Sequence, residues 1–359
     1  MELISRNSNM RTMIVVCMIF IGQLLQAQVI DPSYGDGKKD ATEVIRQRIA
    51  KMCEQWEPNA FSGNDTRRKG GALEFTTGIY RITDTIKLPD GMGLKVRGAG
   101  CETQMPKKGV LDGGGPWLSK RFNFLATAIL YDGPVDQPIF LYRGKGLALD
   151  GISLWGNGKA SAGLKLEHDK GNATGHYRMG YFTIDNCTNG IECGKTLTDG
   201  NCADIAIQHL EVHGCQNGLL VNNSQGVNFS FGFYTAHDTD TMINLAAGGK
   251  FHCSLLAPEN VNRILVTGQQ GNGNGSVVIE HITCDARQQQ FPLLLDGRNT
   301  VGKLTVKFNH LHFPNALKHK PRNEPIIYHN TDTRVIIDSA EFLPQIPDTV
   351  IARNILHQY

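Results

Sequence analysis

The stretch Ala203–Ser224, ADIAIQHLEVHGCQNGLLVNNS, decides the fold. Within it Ile205/Ile207, Leu210/Val212 and Leu219/Val221 each alternate apolar with polar residues. Alternation of this kind marks half-buried strands. Polar or glycine-bearing corners separate the three pieces: Gln208-His209, Gly214 to Gly218, and Asn222-Asn223. Each piece is too short for a helix-connected unit. Three strand faces joined by tight corners make one turn of a coil.

The turn recurs. An apolar-x-apolar pair followed by Gly or Asn appears as ISLWGN at Ile152, FTIDNC at Phe182, LEVHGC at Leu210 and LHFPNA at Leu311, with looser copies at Phe233 and Ile282. A second strand follows each copy, with first apolar residues at 164, 191, 219, 243, 264, 293 and 326, in steps of 27, 28, 24, 21, 29 and 33. A period in this range means a stacked array, because one turn buries its apolar face only against a neighbour. The period-2 alternation and 40 glycines exclude helical repeats. The reading is an all-β chain, a right-handed parallel β-helix solenoid with an N-terminal capping α-helix.

Met13 to Leu25 is an apolar run flanked by Arg6 and Arg11 and followed by Gln26-Ala27. It is short for a bilayer span, so residues 1–27 read as a signal peptide, with a secreted or periplasmic mature chain and no membrane span within it. Removing Arg6, Arg11 and Glu2 takes the formal charge from +2 to +1. That balance argues against a nucleic-acid partner. Eight of the nine cysteines remain after Cys17 is removed. Cys187 and Cys215 fall at the same place one turn apart, and are read as buried, stacked thiols rather than a disulfide.

Residues 28–359 read as a single domain, with a cap and first coils over 28–100, an excursion loop over 101–125, main coils over 126–338 and a tail over 339–359. In DPSYGDGKKDATEVIRQRIAKMCE, Asp40 reads as an N-cap with Glu43 completing a capping box. Val44, Ile45, Ile49, Met52 and Cys53 then form the apolar face of a helix that covers the open end of the coil. Downstream, Leu73/Phe75, Tyr80/Ile82, Ile86/Leu88 and Leu94/Val96 alternate again. The excursion carries Lys107, Lys108, Lys120 and Arg121.

This N-terminal pair, DPSYGDGKKDATEVIRQRIA with GGALEFTTGIYRITDTIKLPDGMGLKVRGAG, resembles the pectate-lyase-like β-helix proteins, a group that includes polygalacturonase-like enzymes and phage tailspike depolymerases. The resemblance implies a carbohydrate-active protein that cleaves or modifies a polysaccharide, an acidic one in particular, by hydrolysis or β-elimination. It also points to the corner immediately before the second strand of each turn. The strongly acidic corner is AHDTDTM, with His237, Asp238 and Asp240. Glu259 joins these as a catalytic candidate from the next corner, while Arg263, Arg287, Asp285 and Asn217 are candidates for holding substrate. The expected groove lies over GLLV, MINL and ILV, centred on His237 to Thr241. Asp238 and Asp240 are expected to share that corner and push their pKa values apart.

A lyase would use Arg263, Arg287, Lys250 or Lys165 at the uronate, with acids such as Glu167, Glu192 and Asp296 taking Ca²⁺. The cofactor is otherwise open, and no residue is assigned as a metal ligand. His209, Glu211 and His213 also alternate outward, without zinc spacing, and read as a solvated face. His310, His312, Lys318, His319, Lys320 and Arg322 form a late basic run. The chain lacks the GHG and RIK sets of polygalacturonases and the WIDH-type motif of pectate lyases. That lack supports a second reading, a glycan-binding or structural β-helix without activity. The polysaccharide is the expected partner, and the oligomeric state is open.

Overall fold

The computed structural model of the chain describes residues 28–54, 70–89, 93–102, 126–167, 174–198, 202–284, 291–313, 325–341 and 356–357. The expected signal peptide, most of the excursion loop, Asp285, Arg287 and the basic residues 318–322 lie outside them. Every strand pairing among the described residues is parallel. Successive turns pair face to face along the chain, which is a parallel β-helix with three faces.

The first face stacks Ile152, Phe182, Leu210, Tyr234, Leu256, Ile282 and Leu311 in register. The second stacks Leu164, Ile191, Leu219, Ile243, Leu265, Leu295 and Ile327. A third carries Tyr177, Ile205, Phe229, Phe251 and Val277. All point inward and are at most 2% exposed, forming one continuous core. The second-face residues read as 264, 293 and 326 are therefore displaced to 265, 295 and 327. Arg263 pairs with Leu293, which fixes that shift.

On the first face, Phe233 pairs with His209 and points outward, while Tyr234 takes the inward place beside Leu210. A pattern of Phe233 and Thr235 looks like an interior pair in sequence. The interior alternation runs instead through Tyr234 and Ala236, both 0% exposed. The Tyr234 hydroxyl escapes burial unpaired by donating to the Met242 carbonyl at 2.7 Å.

The helix spans Thr42–Glu54 and buries Thr42, Ile45, Ile49 and Met52 on the coil end, with Val44 and Cys53 packed alongside. Asp40 Oδ1 accepts from the Thr42 N–H at 2.9 Å. Glu43 does not complete the expected capping box. Asp40 is itself in a strand paired with Arg81, and the Glu43 carboxylate accepts from Gln47 instead. Cys187 and Cys215 are free thiols, 4% and 3% exposed, as their stacked positions imply.

Candidate functional site

One corner recurs between the first and second faces. Its residues Asn186, Gly214, Asp238 and Asn260 follow the paired column Asp185, His213, His237 and Glu259, and all four have φ between 48° and 63°. Left-handed backbone favours Gly, Asn and Asp, so the local conformation selects these residue types. At Gly214 an added Cβ would come within 3.0 Å of Asn186 Oδ1. Asp238 thus has a backbone reason to be there, and its carboxylate is turned to a further use.

The column before the corner is a chain of acids and histidines. Asp185, 1% exposed in its side chain, meets His213 Nδ1 at 2.7 Å, and His213 Nε2 meets Asp238 Oδ2 at 3.1 Å. One coil on, His237 Nδ1 meets Glu259 Oε2 at 2.9 Å and His237 Nε2 lies 3.5 Å from Glu211 Oε1. Each imidazole is clamped between a sheltered carboxylate and an exposed one. Asp238 is tied further by the Asn260 amide, which donates to Oδ1 at 2.8 Å. Coils about 4.8 Å apart place Asp185 and Glu259 about 14 Å from end to end.

Electrostatics separate the members. The hydrogen bond to Asp185 raises the His213 pKa, and burial opposes this only in part. Burial raises the Glu211 pKa, and the charges of His237 and His213 offset that incompletely. Burial and the Glu211 charge also push the Tyr181 hydroxyl up; it lies 3.4 Å from Glu211 Oε2. The shelter over Glu211 has a local cause. Ser153 and Thr183, in the same outward column, donate to the Glu102 carbonyl, both at 2.8 Å. Residues 101 and 102 thereby cross the outer side of the first face one coil before Glu211. Beside this column, Tyr181, His209 and Phe233 stack ring on ring at 4.3 and 4.5 Å. Burial lowers the His209 pKa and favours its neutral form.

Asp240 belongs to the other side of the corner. It forms a close ion pair with Arg263 and accepts from the Asn262 amide at 3.0 Å. Burial acts to raise its pKa, but hydrogen bonds from Asn262, Arg263 and Thr241 and the Arg263 charge hold it below the usual range. Asp238 and Asp240 take separate partners and do not form a shared carboxylate pair. Asn217 sits in an amide ladder, donating to Asn189 Oδ1 at 2.9 Å and accepting from Asn244 at 3.0 Å.

Lys165 bridges Glu192 at 2.8 Å and Glu167 at 3.5 Å, and Asp296 pairs with Arg298 at 2.6 Å. These acids are met by cations, and no metal-binding group is found among the described residues. The structure therefore brings together His237, Asp238 and Glu259, sets Asp240 and Arg263 apart with Asn217 nearby on the second face, and adds Asp185, Glu211 and His213. The period-2 alternation of His209, Glu211 and His213 was the available signal for the added residues. Their partners on neighbouring coils are 24 to 28 residues away, beyond any local pattern.

Among solved structures, the chain is similar to ORF18 of Geobacillus virus E2, with a TM-score of 0.53 and 14% identity over 91% of this chain and 63% of that one. The chain thus spans less than two thirds of that protein's length. It is also similar to DFA-IIIase from Arthrobacter chlorophenolicus A6, with a TM-score of 0.47 and 12% identity over 87% of this chain and 83% of that one. No protein-family model matches the chain, and no curated protein matches it. At such identities the likeness to the phage protein is one of fold, and the fold is the parallel β-helix.

Proposed function

We propose that this chain is a carbohydrate-active enzyme that cleaves a polysaccharide at the acid–histidine cluster, with Glu211 as general acid. The observation that carries the reading is the raised Glu211 pKa in a cluster where neighbouring carboxylates are hydrogen-bonded to histidine. A sheltered carboxyl whose pKa is raised beside exposed carboxylates is the division of labour that glycoside hydrolysis needs. Glu211 gives its proton to the leaving glycosidic oxygen. Asp238, more than half exposed and oriented by His213 and Asn260, takes a proton from the water that attacks the anomeric carbon. His237 lies 3.5 Å from the acid and is held on its other side by Glu259 at 2.9 Å. Asp240, paired with Arg263, keeps the corner and does not take part.

Membership of the pectate-lyase-like group and export by residues 1–27 are part of the same proposal, and both rest on the sequence. A glycan-binding protein without activity is the competing reading, supported by the missing catalytic motifs. Incubation with a panel of neutral and acidic polysaccharides tests the choice, reading reducing ends and the absorbance of unsaturated uronates. Release of reducing ends that Glu211→Gln lowers at least about a hundredfold, the scale of a lost general acid, is the expected result. No product from any substrate would leave the binding reading in its place, and unsaturated product would replace hydrolysis with elimination.

A further inference from the structure

The interior holds a second pair of thiols, placed differently from the stacked one. Cys193 closes the second-face strand Asn189–Cys193, and Cys202 opens the third-face strand Cys202–His213 of the same coil. Both are buried, at 0% and 1% exposure, and both are thiols in this structure. Between them the chain turns the corner from the second face to the third, beginning at Gly194 with φ 83°. Leu166 and Val221 stand in register with Cys193 on the coils before and after it. A sulfur thus takes the place of a hydrocarbon side chain at one level of the core, and the residue that faces it carries a sulfur too.

The geometry of the two pairs separates their chemistry. Cys187 and Cys215 meet, but they stand on successive coils, about 4.8 Å apart at the strand spacing. A disulfide takes a Cβ separation of about 3.8 Å. Each of these thiols also has a backbone acceptor: Cys187 donates to the Asp185 carbonyl at 3.8 Å, and Cys215 to the His213 carbonyl at 3.5 Å. Cys193 and Cys202 are not held to the coil spacing, because they face each other across a corner of one coil. Their side chains hydrogen-bond to one another. The corner itself is tied to the next coil by the Asn223 amide, which donates to the Thr196 carbonyl at 3.2 Å, and by the Ser224 N–H, which donates to the Leu197 carbonyl at 3.0 Å. Leu197 is nevertheless 44% exposed. A covalent link at the base of this corner would close the loop 193–202 and restrict the unfolded chain.

We propose that Cys193 and Cys202 are joined by a disulfide when the chain folds in an oxidising compartment. The oxidant is a small-molecule or protein disulfide of that compartment. One cysteine thiolate attacks it and displaces a thiolate, forming a mixed disulfide. The other thiolate then attacks the sulfur of the first cysteine, so that the Cys193 Sγ–Cys202 Sγ bond forms and the second thiolate leaves. Two electrons pass to the sulfurs of the oxidant, and the two thiol protons end on the released thiols. Exchange needs access to the attacking sulfur, so the step precedes closure of the coil over both side chains. The link is structural and independent of any activity at Glu211. The compartment is the one expected from residues 1–27.

The full chain is produced twice, once exported to an oxidising compartment behind an added leader and once kept in a reducing cytosol. Each preparation is denatured in an alkylating reagent, digested and mapped by mass spectrometry. The exported chain should yield a peptide pair linked through Cys193 and Cys202, and the cytosolic chain should carry the alkyl label on both. Cys187 and Cys215 should be labelled in both preparations. The link should survive a thiol reductant while the protein is native and open once it is denatured, as its burial requires. The proposal is overturned if Cys193 and Cys202 are labelled in the exported chain, if either is linked to another cysteine, or if the native protein loses the link as fast as the denatured one. Failure of residues 1–27 to export the chain unaided is a different result, since the added leader brings it to the same compartment.

Discussion

Asp185 is a nearly buried carboxylate whose His213 partner is one fifth exposed. Removing it strands a sheltered imidazole, so Asp185→Ala should cost about 1–3 kcal/mol, the range for an unpaired buried polar group. Chemical denaturation checks this. The same pair sets a pH dependence. Because the folded His213 pKa is raised, its protonation stabilises the fold fully below the unfolded value of about 6.5, and that contribution disappears as pH rises through the folded value. Thermal unfolding of wild type and His213→Gln from pH 5.5 to 9 should show a gap that narrows with rising pH. A gap that widens would reverse the assignment. Glu211 acts in the same direction on rate: a general acid with a raised pKa loses activity as pH climbs past it, so the alkaline limb should belong to Glu211.

At the scale of the element, the corner between the first and second faces is a ladder of left-handed residues, Asn186, Gly214, Asp238 and Asn260. Asp238→Asn keeps a residue that accepts this backbone, whereas Asp238→Val places a β-branched side chain where it is strained. Asp238→Asn should therefore unfold near the wild-type temperature while Asp238→Val loses about 1–3 kcal/mol, the cost of a residue held in an unfavourable region. Equal stabilities would mean the corner relaxes. The strands around it were legible in the sequence because one face of each is buried: Leu164, Ile191, Leu219 and Ile243 stand where their alternation puts them. Phe233 was not, since an aromatic outside the coil looks the same in sequence as one inside. Nor was the division of Asp238 from Asp240. Two residues apart in sequence, both accept from amides of the next coil, but Asp238 also meets His213 on the coil before while Asp240 pairs with Arg263.

Across the whole molecule, the interior is one apolar column closed at its start by the helix Thr42–Glu54. Ile45→Ala should cost about 2–5 kcal/mol, as for other buried large-to-small changes, and calorimetric or denaturant unfolding reads it. The solenoid supplies a rigid ruler on which outward side chains from successive coils meet at about 4.8 Å. That geometry turns residues 22 to 28 apart into neighbours and assembles Asp185, Glu211, His213, His237, Asp238 and Glu259 on one side of the corner. The side of the corner that carries the chemistry is thus the central claim. Its most direct test is the rate of reducing-end release by Glu211→Gln and Asp240→Asn on the polysaccharide that wild type cleaves. A loss of at least about a hundredfold for Glu211→Gln, with Asp240→Asn within a few-fold of wild type, is the result the account predicts. Near-full activity of Glu211→Gln, with Asp240→Asn inactive but folded, would contradict it and move the reaction to the second face.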